Sequence, residues 1–158
     1  MRMMQALGMV LLLVSQPLDA QRFERIATMT LGGARVSIEA RSGAIAIYAS
    51  KSPDEVLVQE LTTDVEAWVS SVRELATSKS TASPPQFDHW MSKVLATTER
   101  HNLSVQMEAN RSVSKFFLNA RDELQVNRVF AAISRAQLTQ FLATLDRAIA
   151  VSKTIRPF

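Results

Sequence analysis

From Arg35 to Ala40 polar and apolar residues alternate without a break: Val36, Ile38 and Ala40 fall on one face, and Arg35, Ser37 and Glu39 on the other. A period of two belongs to a strand that buries one side. The flanks read the same way. Phe23 to Leu31 is rich in strand-favouring residues, and Gly32-Gly33 supplies the positive φ of a tight hairpin turn. Ser42-Gly43 makes the next turn, after which Ile45, Ile47 and Ala49 share a face opposite Ala46 and Tyr48. Ser52-Pro53-Asp54 breaks that run, and Val56 to Leu61 forms a fourth strand. Four short strands with short turns predict an antiparallel meander.

The period then changes from two to nearly four. Val65, Trp68, Val69, Val72, Leu75 and Ala76 make one apolar stripe at helical spacing. The preceding Thr63-Asp64-Val65-Glu66 has the pattern of a capping box, in which the hydroxyl and the carboxylate satisfy exposed backbone N–H groups. Ser78 to Gln86 has no apolar period and carries two prolines, so it reads as a linker.

Beyond the linker the scheme starts again. Residues 22–50 align without a gap 69 positions later: Ile26-Ala27-Thr28 meets Leu95-Ala96-Thr97, Val36 meets Val105, Glu39-Ala40 meets Glu108-Ala109, and Ile47-Tyr48-Ala49 falls on Phe116-Phe117-Leu118. Trp90 to Thr98 is expected as a strand, Arg100 to Asn102 as a turn, and Leu103, Val105, Met107 and Ala109 as the buried face of the next strand. Asn110-Arg111-Ser112 turns the chain. Phe116, Leu118 and Ala120 then oppose Lys115, Phe117 and Asn119. Arg121-Asp122-Glu123 is the next turn, and Leu124 to Ile133 the fourth strand. Ser134-Arg135-Ala136-Gln137 is a second capping box, followed by the stripe Leu138, Phe141, Leu142, Leu145 and Ile149.

The expected fold class is therefore α+β: a tandem ββββα-ββββα repeat in two layers, with units at 21–77 and 88–151, a Ser/Pro-rich linker at 78–87 and a frayed tail at 152–158. Either each sheet is covered by its own helix, or the two sheets join into one with both helices on the same side. Across residues 22–150 this tandem order resembles, in topology, the Whirly and Pur families of single-stranded nucleic-acid binders. That resemblance implies nucleic acid as a partner.

The first twenty residues lie outside this pattern. Arg2 precedes the apolar run Ala6 to Val14, Pro17 ends it, and Leu18-Asp19-Ala20 closes on a small residue. This is the layout of a secretory signal peptide, with a mature chain starting near Gln21. The expected location is periplasmic or extracellular, with no transmembrane span in the mature chain. Removal of the leader takes away Arg2 and Asp19 together and leaves the net charge at +3. No dense Lys/Arg block accompanies the pI near 9.7. The chain has no cysteine, which excludes disulfides, thiolate metal sites, a thiol nucleophile and a lipoprotein anchor.

Candidate chemistry is sparse. The two histidines, His89 and His101, have no partner at metal-ligand spacing beyond Asp88, which as a neighbour of His89 points to the other side of an extended segment. No metal site and no cofactor are expected. No Gly-x-Ser-x-Gly motif or phosphate-cradling glycine loop is present. Glu39 and Glu108, matched by the offset, are expected to keep the outer sheet faces soluble. Asn102-Leu103-Ser104 and Asn110-Arg111-Ser112 fit the N-glycosylation triplet. The best candidate surface joins Tyr48 and Phe117, matched in the two third strands and pointing away from the helix-side positions, with Lys115, Asn119, Gln106 and Arg35 nearby. Such rings first suggest packing between the halves or a homodimer interface, and next a ligand platform. The leading expectation is an exported, non-enzymatic protein that binds a protein or small ligand through an open sheet face. The alternative is single-stranded nucleic-acid binding, which export disfavours, and behind it a hydrolase with an unrecognised site.

Overall fold

The computed structural model describes residues 22–77, 89–96, 102–109, 114–122 and 126–157. The leader at 1–20, the linker at 78–87, the turn at Asn110-Arg111-Ser112 and the turn residue His101 lie outside the described residues. The fold is α+β. Strands β1 (Phe23–Leu31), β2 (Ala34–Arg41), β3 (Ala44–Lys51) and β4 (Asp54–Leu61) form an antiparallel sheet in sequence order, followed by helix α1 (Thr62–Thr77). Strands β5 (His89–Ala96), β6 (Asn102–Ala109), β7 (Ser114–Arg121) and β8 (Arg128–Ile133) form a second antiparallel sheet, followed by α2 (Arg135–Ser152). The sheets are separate, which removes the expectation of one continuous sheet. No helix among the described residues is long and apolar enough to cross a membrane.

Alternation selects the faces as expected. Val36, Ile38 and Ala40 on β2, Ile45, Ile47 and Ala49 on β3, and Leu103, Val105, Met107, Phe116, Leu118 and Ala120 on β6 and β7 are all buried. They belong to one apolar cluster that takes in both sheets and both helices.

The helices are exchanged between the sheets. α2 lies chiefly across β1, β2 and β3 of the first sheet, and α1 lies against β5 and β6 of the second as well as β3 and β4 of its own. This corrects the expectation that each helix covers its own sheet. The two helices run antiparallel: Lys153 Nζ donates to Glu66 Oε2 at 2.8 Å, Arg73 pairs with Asp146, and the hydroxyls of Thr62 and Ser152 share a buried 2.8 Å hydrogen bond. Trp68 and Phe141, centres of the two stripes, meet edge to face with ring centroids 6.4 Å apart. An amphipathic stripe specifies that a helix must cover apolar surface, and two stripes of equal width fit either sheet.

The second capping box forms as read, Ser134 and Gln137 bonding each other's backbone N–H. The first does not. α1 begins at Thr62, whose N–H reaches the Gly43 carbonyl at 3.0 Å, and Glu66 is held by Lys153. The fourth strand of the second sheet starts at Arg128 instead of Leu124, because Asp122 accepts hydrogen bonds from the backbone N–H groups of Val126 and Asn127 and from the Asn127 side chain. The tail is packed where fraying was expected: Ser152 is buried and Ile155 rests against the core.

The free edge of β8 is covered by the first sheet. Lys51 Nζ donates to the Phe130 carbonyl at 3.1 Å. Gly32, at φ +55°, comes so close to the Ala132 backbone that a Cβ would stand 2.0 Å from its carbonyl oxygen. An uncovered edge strand invites pairing with another chain, and this contact closes it.

Candidate functional site

Each sheet turns its second face away from the helices, and the sequence-predicted residues divide between these two surfaces. On the first sheet β2 contributes Arg35, Ser37, Glu39 and Arg41 and β3 contributes Tyr48, directly opposite Ser37. Glu39 is only 3% exposed although it lies on the outward side. Arg25 donates to it at 2.9 Å, and an Arg41 nitrogen lies 3.6 Å away. Arg41 also donates to Gln59 Oε1 at 2.7 Å and to the Tyr48 hydroxyl at 3.1 Å. Thr28 and Ser37 hydroxyls share a 2.8 Å bond. The expectation of Glu39 as a solvated carboxylate is therefore corrected: it is the buried centre of an arginine network, with its charge already matched. Tyr48 is half-buried, its hydroxyl tied to that network, and Leu57 beside it is 40% exposed. Arg35 and Tyr48 line one shallow depression of this face.

The outer face of the second sheet is built differently. Phe117 on β7 and Phe130 on β8 are diagonal neighbours, since Asn119 is the register partner of Phe130. Their rings stack with centroids 5.2 Å apart and planes 14° from parallel. The Arg128 guanidinium sits over Phe130, 5.2 Å from the ring centre. Arg128 Nε donates to Asn119 Oδ1 at 2.9 Å. Asn119 is itself buried at 2% exposure. It therefore positions Arg128 from below and does not reach outward, as the sequence had suggested. Gln106 is half-buried opposite Phe117, and Lys115 is exposed. Arg121 and Arg128 are direct cross-strand partners. Glu108, whose side chain lies outside the described residues, is the register partner of Lys115 on this sheet.

The structure thus brings Phe117, Lys115, Gln106 and Asn119 together and leaves Tyr48 and Arg35 on the other sheet. Phe117 stacks on Phe130. Sequence reading missed Phe130, Arg128 and Arg121, although Arg128-Val129-Phe130-Ala131 alternates in the manner that placed Phe117 outward. Among the described residues no three His, Asp or Glu side chains gather as a metal site. The side chain of His89 lies outside the described residues. In comparison with known proteins, no family model and no curated protein matches the chain.

Proposed function

We propose that the chain is a non-enzymatic binding protein that recognises its ligand with the outer face of the second sheet, and that a single strand of nucleic acid is the ligand this face fits best. The observation that carries the reading is the Phe117–Phe130 stack with Arg128 laid over it. Every base presents a π-face, so aromatic side chains on a sheet face bind single strands with little regard to sequence. Lys115, Arg121 and Arg128 supply charge for the phosphates.

Further support comes from chain order. Residues 21–77 and 88–151 are read as two copies of a ββββα unit, in the tandem arrangement that resembles the Whirly and Pur families. The leader at 1–20, read as a signal peptide, puts the ligand in a periplasmic or extracellular setting and weighs on the side of a protein or small-molecule partner. The second reading, a protein partner or homodimer on the same face, is favoured by the 37% exposure of Phe130.

The deciding experiment is fluorescence anisotropy with a labelled single-stranded oligonucleotide across a salt series. Binding should weaken with a log–log slope of about −0.7 per phosphate contact. Phe117→Ala with Phe130→Ala should lower affinity roughly tenfold or more, with circular dichroism unchanged. Absence of binding at low salt, together with a dimer in sedimentation velocity that the same double variant dissociates, establishes the protein-partner reading instead.

A further inference from the structure

A second concave surface lies elsewhere, between the β2–β3 turn, β4 and the chain beyond α2. It is a cleft of about 300 Å³ whose lining includes three arginines, Arg22, Arg41 and Arg156, and no carboxylate. That volume is at the small end of the range for small-molecule sites, roughly 300–1,000 Å³.

Arg41 is held by its bonds to Gln59 and Tyr48 and lies 3.6 Å from the Glu39 carboxylate, which it shares with Arg25, and its buried Nε has no hydrogen-bond partner. A buried donor of an ionised group left unmatched is costly. Arg156 is exposed, and the segment leading to it is fixed. Thr154 and Ile155 donate their backbone N–H groups to the Val151 carbonyl at 2.9 and 3.2 Å, and Ile155 packs on the core. Guanidinium groups stay charged at any physiological pH, and their planar forks match the oxygens of a phosphate. The cleft also has an apolar wall, to which Ile155 and Ala44 contribute.

We propose that this cleft binds a small phosphate monoester, its phosphoryl group held by Arg41 and Arg156 and its organic part against Ile155. Ser42 and Gln59, which also line the cleft, add neutral hydrogen-bonding groups. Among oxyanions a phosphate monoester satisfies several guanidinium forks at once. A carboxylate presents only two oxygens. The site shares no residue with the Phe117–Phe130 face, so either reading can fail while the other stands.

Isothermal titration of the full chain at low ionic strength tests the proposal, with phenyl phosphate, inorganic phosphate and benzoate as probes. Phenyl phosphate should bind saturably at one site, more tightly than inorganic phosphate and at least about tenfold more tightly than benzoate. Arg156→Gln, a substitution at an exposed position, should weaken phenyl phosphate about tenfold, the loss expected for one charge-assisted contact. Arg41→Lys should weaken it as well, with an unchanged circular dichroism spectrum. The proposal is overturned if phenyl phosphate shows no saturable binding below about 10 mM, if benzoate binds equally well, or if Arg156→Gln binds phenyl phosphate as the wild type does.

Discussion

The outer faces of the two sheets have contrasting chemistry. On the first, Glu39 lies beneath Arg25 and Arg41, and the Tyr48 hydroxyl and Gln59 take up further Arg41 donors. Much of that face's polarity is satisfied within the protein. On the second, Arg121 faces Arg128 and two phenylalanines stack beside them. The lesson is that outward orientation alone does not mark a recognition surface. What separates the two is the buried carboxylate that ties the arginines of the first face together and the aromatic pair that flanks those of the second.

The largest expected effect bears on what both faces share. Phe141 is fully buried and meets Trp68 where the exchanged helices cross. Phe141→Ala should cost about 3–5 kcal/mol, a large part of the stability of a domain of this size. Because one core backs both faces, probes on either should report a single unfolding transition in denaturant. Two separated transitions would mean that the sheets unfold independently and that the helix exchange does not couple them.

Much of this arrangement was legible in the sequence. Alternation at Val36-Ile38-Ala40 and at Phe116-Leu118-Ala120 names the buried faces correctly, because a half-buried strand has no other way to hide its apolar side chains. The helix exchange was not legible, since the stripes centred on Trp68 and Phe141 carry no information about which sheet they meet. The burial of Glu39 was hidden for a related reason. Arg41 follows two residues along the same strand, but Arg25 comes from β1 and stands opposite Glu39 only in the register that precedes the β1 irregularity between Arg25 and Ala27. Phe130 was missed because the turn residues before Arg128 were read as strand, which obscured where the alternation of β8 begins.

A smaller effect should separate the faces by charge. Glu39→Gln removes the anion that two arginines share, and hydrogen bonds to charged groups contribute about 1.5–3 kcal/mol each. Part of the geometry survives in glutamine, so a loss of about 1–3 kcal/mol is expected in urea denaturation. Lys115→Gln on the second face should stay within about 0.5 kcal/mol of the wild type and instead reduce the salt dependence of oligonucleotide binding. Equal stability losses from the two substitutions would erase the distinction drawn between a closed face and an open one.

The smallest effect concerns a second carboxylate of the first sheet, set in the opposite circumstance to Glu39. Glu60 pairs in register with the core residue Ile45. Desolvation by burial, and then the negative charge of Asp64, raise its pKa above the ordinary value of 4.5. The folded protein therefore holds this proton more tightly than the unfolded chain does. Ionised Glu60 subtracts from stability at neutral pH, and the penalty is lifted as pH falls through the raised pKa toward 4.5. Glu60→Gln should accordingly move the urea midpoint upward at pH 7, and the difference should fade as pH drops well below 4.5, where Glu60 is protonated in both states. Glu39→Gln should do the reverse at pH 7, because its charge is matched by arginine. A Glu60→Gln midpoint at or below that of the wild type at pH 7 would show that the Glu60 carboxylate is stabilising, and the contrast between the two carboxylates would be lost.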